Sequence, residues 1–306
     1  MQRVAVLLPC YNEELTIGKV VGDFRAQLAD ATIYVYDNNS KDGTAEIARA
    51  AGALVVSEPR QGKGNVVRSM FRHVDADVYL MADGDDTYPA EFAHELIQPI
   101  IEGKADMVIG DRLSNGTYAA ENKRAFHGFG NALVRNSINF LLQSSVNDVM
   151  TGYRAFSREF VRTVPLLSRG FEVETEMTLQ ALDKNFRILE IPIDYRDRPA
   201  GSFSKLNTVT DGLRVLGTIL RLFKDYRPFT FFSFISTVFL ILSLATGFPV
   251  ILEFIKTGFV TKVPSAILSV GLAIFFVLFF ISGLILDTVS KLHRELSEQV
   301  AKGQVR

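Results

Sequence analysis

Two long stretches without charge constrain the fold of this chain more than any other feature. Residues 229–252 and 263–286 contain no charged side chain and are rich in Phe, Leu and Ile. Each stretch exceeds the roughly 20 residues that a helix needs to cross a hydrocarbon core. Two buried core helices are the alternative, but length and composition favour a transmembrane hairpin over residues 228–287, closed by the link "EFIKTGFVTK".

The charges beside this hairpin predict its orientation. More basic residues flank the two spans than lie in the link, and they are Arg214, Arg221, Lys224, Arg227, Lys291 and Arg294 against Lys256 and Lys262. This bias predicts that the first domain and both termini are cytoplasmic. Residues 207–227 carry apolar side chains at helical spacing and predict an interfacial amphipathic helix, for which an ordinary surface helix is the alternative. Residues 288–306 predict a cytoplasmic helical tail.

Residues 1–206 show the alternation of an α/β domain. Short apolar runs alternate with helical patterns, and the runs are "RVAVLLP", "TIYVYD", "ALVVSE", "DVYLMAD" and "DMVIGDR". Apolar strands separated by helices predict a mostly parallel sheet that is covered on both faces. Each run ends in a polar cluster, and ligands of such sheets bind at the carboxyl ends of the strands. The later part, residues 122–205, is predicted to be mainly helical, with "FRILEIPIDYRDR" as a strand pair or an extended segment.

Composition excludes some classes of function. The formal net charge is −1, which argues against a nucleic-acid partner. The single cysteine, Cys10, permits no disulfide within the chain. The four histidines show no spacing typical of metal ligands.

The stretch "MADGDDTYP" (81–89) suggests a metal site. Asp83 and Asp85 are two residues apart at a strand end, so both carboxylates can project to one side. Two carboxylates with the other positions open are a common way to hold Mg²⁺ or Mn²⁺ against a diphosphate. A solvated acidic turn is the alternative.

Two further clusters suit a nucleotide. Asp37 and Asn38 end the second strand, where an acid can accept bonds from a base or ribose, although an Asx turn explains the neighbouring residues equally well. Lys63 lies between two glycines ahead of a helix in "QGKGN" and can bind phosphate; a flexible turn is the alternative.

Five motifs in order carry a resemblance to a known family: "LLPCYNEE", "YDNNSKDGT", "MADGDDTYP", "NDVMTGYRAF" and "YRDRPAGSFSK". Over residues 1–210 the chain resembles family-two inverting glycosyltransferases with a GT-A fold. Within them it is most similar to the polyprenyl-phosphate sugar synthases, the dolichol-phosphate mannose synthase-like branch. The C-terminal hairpin matches the subset that carries a two-helix membrane anchor.

The resemblance implies roles for residues of the donor site. The residues implied to hold the nucleotide sugar are Pro9, Tyr11, Glu13, Asp37, Asn38, Lys63, Asp83, Gly84 and Arg112. The second of the two base-reading positions is often Asp in relatives and is Asn38 here, which leaves the nucleotide open. Asp83 and Asp85 match the metal-binding pair. Several relatives have Gln where this chain has Thr87, so the third ligand is Thr87, Asp86 or water.

The resemblance also implies catalytic and acceptor residues. Asp148, with Asp85 and Arg198, is implied to be catalytic; Asp148 acts as a base or an orienting carboxylate, with a helix cap as the alternative. The residues implied to bind the lipid phosphate are Arg154, Arg198, Ser202 and Lys205, with Ser204 and Arg124 as weaker candidates. Arg154 is equally suited to hold Asp148.

The predicted activity is a metal-dependent, inverting transfer of a sugar from a nucleotide diphosphate, with a UDP-sugar favoured. The acceptor is an undecaprenyl or dolichyl monophosphate at the bilayer, and relatives suggest a homo-oligomer. The alternatives are a GDP-mannose-dependent synthase and a non-catalytic membrane scaffold. A processive polysaccharide synthase is disfavoured because the chain contains no tryptophan and only two spans.

Overall fold

The computed structural model describes residues 2–116, 127–197, 217, 220–221 and 223–301. The chain divides into two compact units, Met1–Leu213 and Arg214–Arg306.

The first unit alternates strands and helices, as its hydrophobic pattern predicts. Its strands are β1 (Val4–Cys10), β2 (Thr32–Asp37), β3 (Leu54–Ser57), β4 (Val78–Met81), β5 (Met107–Asp111), β6 (Arg154–Ser157) and β7 (Ile188–Pro192). Its helices are α1 (Ile17–Gln27), α2 (Thr44–Ala50), α3 (Lys63–His73), α4 (Ala93–Ile101), α5 (His127–Leu142), α6 (Arg158–Thr163) and α7 (Val173–Asp183).

The strands form one mixed sheet in the order β3-β2-β1-β4-β6-β5-β7. Strands β1 to β4 are parallel to one another, with Cys10 opposite Asp37 and Leu7 opposite Met81. Strand β6 is antiparallel to both β4 and β5, and β7 is parallel to β5. The prediction of a mostly parallel sheet with flanking helices is therefore confirmed. In the region predicted to be mainly helical, β7 lies within the segment predicted to be a strand pair or extended, and β6 is a further strand that was not predicted.

The core lies on both faces of this sheet. Strand residues such as Val6, Leu8 and Leu80 are fully buried and pack against helix residues such as Ile17 and Phe24. Burial on both faces explains why the strands appear as continuous apolar runs. The packed sheet gives the polar loops at its carboxyl edge a rigid base.

The second unit contains two long helices, α8 (Pro228–Thr257) and α9 (Val263–Ala301). Both are long and apolar enough to cross a membrane. They pack against each other: Ser243 Oγ donates to the Ser269 carbonyl at 2.9 Å, and the rings of Phe239 and Phe279 stack at 5.3 Å. Side chains such as Phe234 and Ile267 are largely exposed, as expected of a surface that faces lipid.

Candidate active site

A cavity of about 280 Å³ opens at the carboxyl edge of β1, β2 and β4. Most of the residues predicted to hold a nucleotide sugar line it. The lining residues are Pro9, Cys10, Tyr11, Glu13, Asn38, Gln61, Gly62, Lys63, Val66, Asp83, Gly84, Asp85 and Phe171. The structure therefore brings together motifs that are far apart in the chain, because parallel strands end at one edge of the sheet.

The loop after β1 is held by hydrogen bonds to the loop after β2. Asn12 has a left-handed backbone (φ 53°), its N–H donates to Ser40 Oγ, and its side-chain oxygen accepts from the Lys41 N–H at 2.8 Å. The Glu13 N–H donates to Thr44 Oγ1 at 2.8 Å. These bonds hold the loop that carries Tyr11 and Glu13 at the cavity wall.

Lys63 is buried between two carboxylates. Its ammonium lies 2.5 Å from Asp83 Oδ1 and 2.5 Å from Glu174 Oε1. Burial alone would lower the pKa of this lysine, but the two carboxylates outweigh burial and raise it above its usual range. The site therefore contains a permanent positive charge beside the aspartate pair.

Asp85 is buried and oriented by its neighbour. The Thr87 hydroxyl donates to Asp85 Oδ1 at 2.6 Å, and the Thr87 N–H donates to the same oxygen at 3.3 Å. In this arrangement Thr87 fixes the carboxylate, and its predicted role as a metal ligand stays a prediction. Asp86 has a left-handed backbone (φ 60°) and pairs with Lys19 at 2.7 Å. The three aspartates of the motif thus have different partners.

The residues at the end of β4 fit a hard divalent cation in part. Asp83 and Asp85 both line the cavity and offer only carboxylate oxygens, the ligands that Mg²⁺ and Mn²⁺ prefer. Within the described residues no group of three or more His, Cys, Asp or Glu side chains is placed to hold a metal ion. Two carboxylates suit a cation that completes its shell with water and substrate oxygens.

Asn38 shapes a loop. Its amide donates to the carbonyls of Glu58 (2.8 Å) and Arg60 (2.9 Å), while its oxygen accepts from the Gly62 N–H at 2.7 Å and from Gln61 Nε2 at 3.3 Å. These four bonds fill the hydrogen-bonding capacity of an amide. The predicted contact of this side chain with a base is therefore not what the structure favours. Its role is to hold residues 58–62 against the cavity.

Asp37 ends β2 next to this loop and is 9% exposed. Its Oδ1 accepts from the Ser40 N–H at 3.3 Å. The Asx turn that was one alternative for the motif lies at Asp42, whose Oδ1 accepts from the Thr44 N–H at 3.1 Å. Asp37 is not among the residues that line the cavity. Its role in nucleotide binding stays a prediction.

A second polar cluster lies at the ends of β5 and β6. Arg112 Nε donates to Asp148 Oδ2 at 2.7 Å, and Arg112 Nη2 donates to Asp148 Oδ1 at 3.0 Å. The hydroxyl of buried Tyr88 accepts from the Gly152 N–H at 2.9 Å and lies 3.4 Å from Arg112 Nη1. Burial raises the pKa of Tyr88 to about 12, so its hydroxyl stays protonated.

The ion pair determines the state of Asp148. Burial would raise the pKa of this carboxyl, but the charge and hydrogen bonds of Arg112 outweigh burial and lower it. Glu190 holds the loop that carries Asp148, since its carboxylate accepts from the N–H groups of Asn147 and Asp148 at 2.9 Å. Of the two predicted roles, the geometry favours the orienting carboxylate.

The prediction that Arg154 binds the lipid phosphate is corrected by its position in the structure. It is fully buried in β6, and its guanidinium donates to the carbonyls of Thr151 (2.9 Å) and Val149 (2.7 Å) and to Thr178 Oγ1 at 2.8 Å. A side chain enclosed in this way does not reach a lipid phosphate. Because Arg154 bonds to the carbonyls around the 148–153 loop, its role is to hold that loop.

Several predicted residues lie outside the described part of the chain: Arg124, Arg198, Ser202, Ser204 and Lys205. Their predicted contacts with the acceptor stay predictions. In contrast, Glu174 and Phe171 belong to the site and were missed. The only signal in the sequence was an acid within the largely apolar face of "FEVETEMTL", a pattern that an ordinary surface helix also shows.

The mixed sheet, with an aspartate pair beside the cavity at its carboxyl edge, defines a glycosyltransferase domain of the GT-A class. The family described as glycosyl transferase family 2 matches residues 5–164. The chain is also 32% identical over 298 residues to glycosyltransferase AglJ of Haloferax volcanii, covering 97% of each protein. This chain therefore belongs to glycosyl transferase family 2 and is a glycosyltransferase, as its motifs predicted.

Other similarities agree with this assignment. The chain is 32% identical over 224 residues to the dolichyl-phosphate hexose transferase of Haloferax volcanii, which covers 73% of this chain and 95% of that protein. Among solved structures, glucosyl-3-phosphoglycerate synthase of Mycobacterium tuberculosis with Mn²⁺, UDP and phosphoglyceric acid superposes with a TM-score of 0.59. That match has 24% identity and covers 73% of this chain and 78% of the other. This structural likeness shows the shared fold.

Proposed function

We propose that this glycosyltransferase moves a sugar from a nucleotide diphosphate donor, preferably a UDP-sugar, to a polyprenyl monophosphate. The product is a lipid-linked monosaccharide for envelope or glycan modification. One observation carries the proposal: Asp83, Asp85 and Lys63 line a single cavity at the carboxyl edge of the sheet. Oxygen ligands for a cation beside a fixed ammonium form a suitable site for a diphosphate.

The comparisons support the two substrates separately. The hexose transferase of Haloferax volcanii is named for dolichyl phosphate, which supports a polyprenyl phosphate acceptor. The mycobacterial synthase has the same fold and was solved with UDP-glucose and Mn²⁺, which supports a UDP-sugar and a divalent cation. The apolar helices α8 and α9 would keep the domain at the membrane where a lipid acceptor is found.

Asp83 and Asp85 are the residues that would hold Mg²⁺ or Mn²⁺. When bound, the cation would neutralise the charge that develops on the leaving diphosphate. The ammonium of Lys63 lies against Asp83 and would add a second positive charge on the same side. Thr87 would keep Asp85 in the orientation that the cation needs.

In the proposed reaction an oxygen of the acceptor phosphate attacks C1 of the sugar while the bond from C1 to the diphosphate oxygen breaks. Attack from the opposite face inverts the anomeric centre. A phosphate monoester has its second pKa near ~6, so the acceptor is mostly dianionic at neutral pH and needs little help from a base. This agrees with an Asp148 that holds Arg112 and with an Arg112 that contacts a phosphate.

The membrane arrangement is part of the proposal. The basic flanks of the hairpin favour a cytoplasmic catalytic domain and cytoplasmic termini. Arg198, Ser202 and Lys205 precede the interfacial segment, where they would meet an anionic headgroup. A homo-oligomer is expected from the family resemblance.

The experiment is a donor screen with purified full-length protein, Mg²⁺ or Mn²⁺, undecaprenyl or dolichyl phosphate, and a panel of UDP- and GDP-sugars. We expect a lipid-linked sugar from a UDP donor and no product without lipid. A product from GDP-mannose alone would favour the dolichol-phosphate mannose synthase-type activity instead. If a folded protein gives no product with any donor, the non-catalytic scaffold replaces this proposal.

A further inference from the structure

Lys63 and Glu174 form a buried pair that the aspartate motif alone does not explain. The side chain of Lys63 is 10% exposed and that of Glu174 is 5% exposed. The second carboxylate oxygen of Glu174, Oε2, is buried and has no hydrogen-bond partner within the described part of the chain. The Phe171 ring lies 6.0 Å from the ammonium. Burial of a carboxylate with one oxygen unsatisfied lowers the stability of the fold.

The backbone around Gly64 brings Lys63 and Glu174 close together. The Gly64 N–H, in the first turn of α3, donates at 3.1 Å to the carbonyls of Arg169 and Gly170. A Cβ at Gly64 would lie 2.2 Å from the Ser168 carbonyl oxygen, so only glycine permits this approach. The loop that leads into α7 is thereby held against the start of α3. Glu174 follows in the first turn of α7 and reaches the ammonium of Lys63, which also contacts Asp83.

Two positive groups would bind Asp83. It bonds to Lys63, and the proposed function assigns it to a divalent cation. An ammonium and a divalent cation on one carboxylate lie within a few Å of each other and repel strongly in a buried site. Cation binding and the contact between Lys63 and Asp83 therefore oppose each other, and the enzyme needs a second anchor for the lysine.

We propose that Glu174 is this anchor: it is a positioning residue that retains the ammonium of Lys63 at the cavity wall when Asp83 is used by the divalent cation. The inference rests on the metal role of Asp83 in the proposed function. Without Glu174, the ammonium has Asp83 as its remaining carboxylate partner and competes with the cation for it. With Glu174, both positive charges remain beside the place of the donor diphosphate.

The test is Mn²⁺ binding to full-length protein without nucleotide, measured by electron paramagnetic resonance of free Mn²⁺. We expect Glu174→Gln to weaken binding roughly tenfold, within the usual range of coupling between two sites, and Lys63→Met to strengthen it by a similar factor. Glu172→Gln is the matched control, since this exposed acid precedes the same helix. It should change binding by less than about twofold.

The double variant Lys63→Met with Glu174→Gln separates positioning from direct attraction. If Glu174 acts through the lysine, its removal has little effect once Lys63 is gone. A direct attraction between Glu174 and Mn²⁺ would weaken binding equally in both backgrounds, and that result overturns the proposal. An unchanged affinity in Glu174→Gln also overturns it. If Lys63→Met alone does not fold, the double variant is compared with wild type: it should bind Mn²⁺ more tightly than wild type if Glu174 acts through the lysine, and about as tightly as wild type if Glu174 attracts the cation directly.

A second measurement links the inference to turnover. In the transfer assay, Glu174→Gln should raise the Mn²⁺ concentration needed for half-maximal rate roughly tenfold, and saturating Mn²⁺ should restore part of the rate. The two proposals fail separately. If no donor is used but the Mn²⁺ pattern holds, only the proposed function is lost; if a donor is used and the pattern is absent, only the role of Glu174 is lost.

Discussion

Arg112 and Asp148 meet through two hydrogen bonds, Nε to Oδ2 at 2.7 Å and Nη2 to Oδ1 at 3.0 Å. Both residues are buried, at 7% and 2% exposure. A carboxylate that is paired in this way and has a lowered pKa is a weak proton acceptor. In the proposed mechanism the pair acts by holding the guanidinium of Arg112 in one orientation, which presents its charge to a phosphate.

The first prediction concerns this pair. Asp148→Asn should lower the free energy of unfolding by about 3 to 5 kcal/mol, because it removes the carboxylate that pairs with the buried charge of Arg112. The double variant Asp148→Leu with Arg112→Met should recover much of that loss, since neither charge remains. Denaturant unfolding of the three proteins measures this.

The Asp148→Asn variant and the apolar double variant should both be nearly inactive in the transfer assay. Arg112→Lys should keep the charge but lose the two-point contact, and lower kcat/KM by about 10². Wild-type turnover in Asp148→Asn at saturating substrate would contradict the orienting role. Recovery of activity in the apolar double variant would contradict the role of Arg112.

Much of this site could be predicted because it lies at the ends of strands. The apolar runs place Asp37, Asp83 and Arg112 at the carboxyl ends of β2, β4 and β5, and a parallel sheet brings such ends to one edge. Strand β6 was not expected, because its four residues carry no periodic pattern. Its antiparallel insertion beside β4 buries Arg154, a residue that the sequence suggests is available to a ligand.

Other contacts depend on tertiary structure that no local pattern encodes. Glu174 is distant from Asp83 in the sequence and meets Lys63 because the loop before α7 packs on Gly64. Asn38 resembles a base-reading residue by position, but its environment is a ring of backbone groups. The residue types of Glu174 and Asn38 are each compatible with several roles. The buried surroundings of each side chain, which depend on the tertiary structure, favour one of those roles.

The second prediction separates the three aspartates of the "DGDD" motif. Asp83→Asn and Asp85→Asn should each reduce donor turnover by at least about 10², because each removes one carboxylate from the cation site. Asp86→Asn should stay near the wild-type rate. Asp86 pairs with Lys19, and Asn tolerates its left-handed backbone at φ 60°.

Initial rates over a Mn²⁺ titration measure all three variants, and circular dichroism controls for folding. Asp83→Asn should also free Lys63 from one of its two partners. Equal losses in all three variants would contradict the distinction. A fully active Asp85→Asn would contradict the metal role of the pair.

The third prediction concerns Asn38. Asn38→Asp replaces the amide nitrogen, which donates two bonds, with one carboxylate oxygen that faces the carbonyls of Glu58 and Arg60. Two lost bonds and a buried charge should cost about 2 to 4 kcal/mol of stability. The donor KM should rise as the loop that carries Gln61 and Gly62 loosens, while kcat changes less.

Thermal unfolding and a donor titration measure these effects. Asn39→Asp is the control, because Asn39 also bonds to this loop but is exposed. If Asn38→Asp instead changes donor preference between UDP and GDP without loss of stability, Asn38 contacts the base.

The fourth prediction is a pH dependence that arises from Glu58. Arg60 donates to Glu58 through Nε (2.7 Å) and Nη2 (2.9 Å), and these bonds lower the pKa of the carboxyl from 4.5 to about 2 despite burial. Since the folded pKa is depressed, the ionised group stabilises the fold fully above the unfolded value. That contribution decreases as the pH falls below about 4.5 and is lost near about 2.

Urea unfolding of wild type and Glu58→Gln between neutral and acid pH tests this dependence. The difference in stability between the two proteins should be largest at neutral pH and should shrink through this acid window, because Gln carries no charge to lose. Glu95→Gln, at an exposed position on α4, is the control. A constant difference for Glu58→Gln across the same range would mean that Arg60 does not stabilise the ionised carboxylate. The loop of residues 58–62 would then depend on Asn38 rather than on this pair.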